Sequence, residues 1–247
     1  MTSESTKFKK WPVLAAGILG AFCVMIILLI TSVEAVAYWT PGYYEQEYTK
    51  YHVLENLPEM TMEDLLAVTD EMMAYLRGNR EDLHVSAVIG GETREFFNAR
   101  EIAHMEDVRG LFLGGLMLRR VCILILLLLA AFFWGWSHKK EARIRFLSYM
   151  LPSSLSIGTG LFFLLSAGIA GIISTDFSKY FVVFHQIFFD NDLWILNPAT
   201  DLLINIVPEP FFMDTAIRIG LLFAAMTVLF LAGNLLLWKR NRKKNAH

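Results

Sequence analysis

A chain of 247 residues is long enough for one or two soluble domains. Its 55% hydrophobic and 19% charged residues, with a mean hydropathy of +0.45, exclude an ordinary globular surface. The formal net charge of −2 conceals a strong asymmetry along the chain, and no nucleic-acid partner is expected.

In chain order, the first apolar stretch covers about 11–37. Its run from Pro12 to Val33 exceeds the roughly 7–15 residues of a signal-peptide core, so an uncleaved anchor is expected. Three further stretches, about 111–137, 151–173 and 214–238, also reach the length that crosses a bilayer. A hydrocarbon core about 30 Å thick needs roughly 20 apolar residues. Trp11, Trp39, Trp134, Trp136 and Trp238 fall near the ends of these stretches, where interfacial indoles belong.

Charge then orients the stretches. Lys7, Lys9 and Lys10 precede the first; Lys139, Lys140, Arg143 and Arg145 join the second to the third. Lys239, Arg240, Arg242, Lys243 and Lys244 close the chain. These twelve of the 22 basic residues belong on the cytoplasmic side. Residues 39–109 carry fifteen Asp/Glu against six Lys/Arg, and 174–214 carry six against one, so both face outward. The expected fold is an all-α membrane protein over 1–247, with four transmembrane helices and both termini cytoplasmic. A structured extracellular cap of short helices and a small hairpin (39–109) and an outer loop (174–213) complete it. Cys23 and Cys122 each lie inside a span, which leaves the outer loops without a disulfide framework or a cysteine nucleophile.

The cap is patterned rather than disordered. Thr61-Met62-Glu63-Asp64 reads as a helix start, with apolar residues then recurring at helical spacing up to a terminator at Gly78. Val85–Ile89 and Thr93–Phe97 flank Gly90-Gly91, a hairpin signal. Such a hairpin needs support from the membrane or a helix. Asn98-Ala99-Arg100-Glu101 reads as an N-cap with Glu three residues on. The helix it starts would carry His104 in its second turn and run directly into the second span. Tyr43, Tyr44, Tyr48 and Tyr51 read as an interfacial aromatic cluster. The second outer loop is amphipathic and rich in aromatics, from Phe177 to Trp194, and is expected to dip into the interface. Asn197-Pro198 offers another helix start, with Asp201 nearby.

His104 and His185 are the candidate chemical groups, because histidine exchanges protons near neutral pH and both are placed on the outer side. Each also has a bland reading, as an interfacial or aromatic-belt side chain with one satisfied hydrogen bond. His52 and His84 read as solvated, His138 as cytoplasmic, and His247 ends the chain. Asp107, at i+3 from His104, shares its helix face and is placed to hold the imidazole tautomer. Arg100, Glu101, Asp190 and Asp201 are further supporting candidates. Arg119 and Arg120 read as snorkelling to the outer boundary or contacting lipid, with Arg218 similarly placed; Trp194 is a third lipid-contact candidate. Gly158, Gly160, Gly168 and Gly171 permit close helix packing or a lipid groove. Metal-binding HExxH and nucleophilic GxSxG patterns are absent, so no metal is assigned.

Several strings resemble one bacterial membrane family. They are Tyr75-Leu76-Arg77-Gly78, Phe96-Phe97-Asn98-Ala99-Arg100-Glu101-Ile102-Ala103-His104-Met105-Glu106-Asp107-Val108 and Phe184-His185-Gln186-Ile187-Phe188-Phe189. The series Trp194, Pro198, Asp201, Pro208 and Phe212 continues the resemblance. The family is the lipoprotein intramolecular transacylase of Gram-positive bacteria. The resemblance runs from the first span through the fourth and implies an acyltransferase of the cell membrane. Its substrate would be a diacylglyceryl-modified lipoprotein, whose sn-2 acyl chain moves to the α-amine of its N-terminal cysteine. The resemblance assigns the two functional histidines to His104 and His185.

Nucleophile and electrophile would then belong to one substrate, so the enzyme needs no nucleophile, no cofactor, no ATP and no acyl-CoA. Asp107 would favour His104 as base, leaving His185 to polarise the ester and protonate the departing oxygen. Membrane lipids are the other expected partners. Two other readings are an outer-leaflet lipid or peptide hydrolase, metal-dependent or not, and a non-catalytic membrane sensor.

Overall fold

The computed structural model describes residues 10–57 and 60–244. Lys7, Lys9 and His247 lie outside them, as do the side chains of Lys243 and Lys244. In chain order the elements are α1 (Lys10–Trp39), α2 (Tyr43–Lys50), a 3-10 turn (Val53–Asn56), α3 (Met62–Leu76), β1 (Ser86–Ile89) and β2 (Glu92–Glu95). They continue with α4 (Ala99–Ser137), α5 (Glu141–Ile173), α6 (Phe177–Phe188), α7 (Leu203–Ile206) and α8 (Glu209–Lys244). Helices α1, α4, α5 and α8 are each long and apolar enough to cross a membrane.

These helices outrun the apolar stretches that announce them. Helix α4 has 39 residues, about 58 Å at 1.5 Å per residue, against a hydrocarbon core of about 30 Å. Its first turns, from Ala99 to Gly110, are charged and precede the apolar stretch. Backbone hydrogen bonding continues where hydropathy stops, so one continuous helix contains both an apolar stretch and His104.

The chain forms two compact units. One comprises α1 up to Thr31, Leu118–Gly171 and the chain from Leu221 onward. Here α1 and α5 cross closely. A Cβ at Gly17 would meet the Cβ of Ser154 at 2.3 Å, and one at Gly158 would meet that of Ala21 at 2.6 Å. Small residues thus let the two backbones approach. Gly160, Gly168 and Gly171 have no such neighbour among the described residues, so of these four α5 glycines Gly158 alone lies at a close crossing. Cys23 and Cys122 are buried and free in this unit.

The other unit comprises Ser32–Met117 and Ile172–Gly220 and holds both candidate histidines. Helix α3 starts with a capping box: the Thr61 hydroxyl accepts from the backbone N–H of Asp64, whose carboxylate accepts from that of Thr61. It ends where Gly78, at φ +82°, allows the backbone N–H groups of Gly78 and Asn79 to reach the carbonyls of Tyr75 and Ala74. Gly90 and Gly91, both at positive φ, turn β1 into β2, pairing Ile89 with Glu92. Ala87 and Ile89 face inward, and β1 packs on α3, which supplies the support an isolated hairpin lacks.

Tyr43 and Tyr48 belong to this unit's core, not to an interfacial belt. Both are buried; Tyr48 stacks on Phe211 and bonds the Thr69 hydroxyl at 2.7 Å. Arg218, expected at a lipid boundary, donates to the fully buried Glu47 at 2.7 Å, and Lys50 pairs with Asp214. Glu47 of α2 thereby captures the basic residue of α8 that hydropathy alone would send toward lipid.

Candidate active site

Asn98 and Glu101 build the start of α4. The Asn98 Oδ1 accepts from the backbone N–H groups of Arg100 and Glu101 at 2.9 and 3.0 Å. Glu101 returns the bond, accepting from the Asn98 N–H at 2.7 Å. Its other oxygen accepts from the Leu203 N–H at 2.5 Å, and the side chain is fully buried. Burial pushes this carboxyl up, opposed by those backbone donors. Asp201 fixes the same corner from the segment between α6 and α7: it accepts from the Asn98 amide at 2.8 Å and the Asn197 N–H at 2.7 Å. Burial would raise this carboxyl, but the hydrogen bonds hold it below the usual range. Glu101 and Asp201 therefore set the position of α4, and neither bonds a histidine.

One turn further on, His104 is 6% exposed, and His185 of α6 is 7% exposed. Their ring centroids lie 6.0 Å apart. Phe189 meets His104 edge-on at 5.3 Å, while Phe181, at 4.4 Å, and Phe184 flank His185. Trp194 stacks on His185 at 4.9 Å and 29°. The helical register of α6 explains the arrangement: His185 points inward, while Phe184, Ile187 and Phe188 stay exposed.

The two imidazoles are held differently. His185 Nδ1 lies 2.7 Å from the Phe181 carbonyl, one helical turn back. A carbonyl only accepts, so Nδ1 carries the proton and Nε2 of the neutral ring has a free lone pair. His104 Nδ1 is buried without a hydrogen-bond partner among the described residues. Buried N–H groups are rarely orphaned, whereas acceptors are more often. The neutral His104 ring is therefore assigned its proton on Nε2. Burial, together with the neighbouring His185, pushes His104 down to about 4, and burial also lowers His185. Both rings are neutral near pH 7.

The expected bond between Asp107 and His104 is not made. Asp107 Oδ2 instead accepts from the Asn191 amide at 2.8 Å. The His104 ring leans back toward the N-terminal turn, as helical side chains do, and the short carboxylate at i+3 is taken by the loop. Arg100 donates to the Asp192 carbonyl, and Asp190 is exposed. Trp194, read from sequence as a lipid contact, lies against His185. Arg119 and Arg120 fall in the membrane-helix unit, the first half-buried and the second exposed. Asn191 was not a sequence candidate; its only signal was its place between two acids beside Trp194. A cleft of 450 Å³ opens beside Asn98, Glu101 and Thr200, and neither His104 nor His185 lines it.

Fold and site together define a multi-pass membrane protein with a buried histidine pair. The chain belongs to the lipoprotein intramolecular transacylase (Lit) family, whose model matches residues 18–212. It is accordingly an acyltransferase acting on lipoproteins. The fold is similar to the in meso structure of the membrane integral lipoprotein intramolecular transacylase Lit from Bacillus cereus. That structure is 20% identical, with a TM-score of 0.74, covering 95% of this chain and 100% of that one. Two variants of the Bacillus cereus protein, with one histidine replaced by alanine or by arginine, match similarly. Both are 20% identical with TM-scores of 0.72; the coverage of this chain and of theirs is 97% and 100% for the first, and 98% and 98% for the second. No curated protein matches the sequence.

Proposed function

We propose that this chain moves the sn-2 acyl chain of a diacylglyceryl-cysteine lipoprotein to its α-amine. His185 and His104 act as base and acid on the outer side of the membrane, and no acyl-enzyme forms. The observation that carries this reading is the pair of neutral imidazoles 6.0 Å apart in an aromatic enclosure, one with Nδ1 committed to a carbonyl.

The division of roles reverses the one that Asp107 would have favoured. His185 Nε2 has the lone pair, and the Phe181 carbonyl stabilises the imidazolium formed when it takes a proton. His185 therefore receives the proton of the attacking amine. Nitrogen adds to the ester carbonyl, and the tetrahedral intermediate collapses to the amide by breaking the bond to the glycerol sn-2 oxygen. His104 Nε2–H polarises that oxygen and delivers its proton as the bond breaks. Counted from the neutral amine, one proton leaves nitrogen and one reaches oxygen. Transfer from the His185 imidazolium to the His104 ring restores both, so no co-reactant is consumed. An amine that arrives protonated first gives up its extra proton to solvent. The amine, with a reference pKa of about 7.7–8.0, is substantially protonated at neutral pH and gains from a base held beside it. Attack within one positioned substrate supplies a further share of the rate, up to about 7–11 kcal/mol for ideal geometry. Membrane lipids surround the acyl tails, and exposed Arg120 is the basic residue assigned to contact them.

Purified protein with a synthetic diacylglyceryl lipopeptide tests this. H185A and H104A are expected to lower kcat by about 10²–10⁴-fold. The intact mass of wild-type protein quenched during turnover stays unchanged. A protein mass increased by one acyl chain would replace acid–base catalysis by covalent catalysis.

A further inference from the structure

The loop after α6 joins Asp107 to the wrong histidine for its expected role. Asn191 makes three bonds at once. Its Nδ2 donates to Asp107 Oδ2 at 2.8 Å, its Oδ1 accepts from the Leu193 N–H at 3.0 Å, and its carbonyl accepts from the Trp194 indole N–H at 3.0 Å. The indole so held lies nearly parallel to the His185 ring, at 4.9 Å and 29°. Asp107 stands on α4, next to the face that carries His104, so this chain of contacts ties α4 to the aromatic wall behind His185.

We propose that Asp107, Asn191 and Trp194 are positioning residues for His185, a role that rests on His185 being the proton acceptor. Phe181 fixes one edge of the imidazole through Nδ1, which leaves the ring free to rock about that bond. A flat aromatic face removes this freedom and holds Nε2 in one orientation beside the His104 ring, whose centroid lies 6.0 Å away. The same face stabilises the imidazolium as it forms, since an aromatic ring attracts a cation above it. Asp107 contributes an acceptor oxygen to Asn191, and its charge is not what the arrangement requires. Asn191 matters through both its amide and its carbonyl.

Substitutions separate this role from lipid contact and from direct action on His104. W194L is expected to lower kcat by about 100-fold with little change in KM, a loss of the size that a misplacement of about 1 Å produces. W194F keeps the ring face, loses the tether to Asn191 and falls between. N191A and D107A each lose about tenfold, and the double variant is no worse than either, because both cut one chain of contacts. D107N, which retains an acceptor oxygen, recovers most of what D107A loses.

A rise in KM at unchanged kcat for W194L would overturn the proposal in favour of lipid contact. Equal losses in D107N and D107A would overturn it in favour of a charge acting on His104. Additive losses in D107A/N191A would break the chain of contacts. Unfolding midpoints in detergent, recorded for every variant, identify any loss of fold. H185A is the separate control: full activity there would remove the base assignment beneath the proposal, whereas the Trp194 and Asp107 series tests the positioning itself.

Discussion

At the residue scale, burial sets the chemistry of the histidines. Moving an imidazolium out of water is unfavourable, so the neutral form persists to lower pH than in a free side chain. His104 is protonated only near pH 4 in the folded protein, against an ordinary 6.5. Below 6.5 the unfolded chain therefore binds a proton that the folded chain does not. Its contribution to stability is complete above 6.5 and is lost as pH falls toward 4. His185 shifts in the same direction. The unfolding midpoint in detergent should fall between pH 7 and pH 4.5, and H104F should flatten that fall. An identical pH dependence in H104F would contradict the assignment of His104 as a buried neutral ring.

At the element scale, caps and turns locate the site. Thr61, Gly78, the Gly90-Gly91 pair and Asn98 were legible because each acts on its own neighbours in sequence. The register of β1 and β2, the end of α3 and the start of α4 all follow from them. The partners of the segment between α6 and α8 were not legible. Asn191 meets Asp107, and Glu101 meets Leu203, only once the loop has folded against α4. Glu101 carries the clearest consequence, since one buried carboxylate serves both Asn98 and Leu203. E101A leaves two backbone N–H groups unpaired, each costing about 1–3 kcal/mol. It should lower the unfolding midpoint, with E101Q, which keeps an acceptor oxygen, lowering it less. Equal midpoints for E101A and wild type would remove Glu101 from this role.

At the scale of the whole molecule, hydropathy marked four spans because lipid admits only apolar side chains, but it did not mark the helix ends. Those depend on backbone hydrogen bonding, which carries α4 from the apolar stretch back to Ala99. A single continuous helix thus contains both an apolar stretch and a proton-exchanging side chain. The histidine pair was legible as two residues and through the family resemblance. Its neighbours, the Trp194 face and the Phe181 carbonyl, depend on the fold of α6 and its loop. The proposed mechanism requires both histidines for one acyl migration. The most direct test is mass spectrometry of a lipoprotein's N-terminal peptide, made with this protein in a host lacking its usual N-acylating enzyme. With the wild-type chain, one acyl group is expected on the cysteine amine and one on glycerol; with either H104A or H185A, the diacylglyceryl peptide is expected unchanged. An unchanged peptide with the wild-type chain present in the membrane, or a migrated acyl group with either variant, would contradict it.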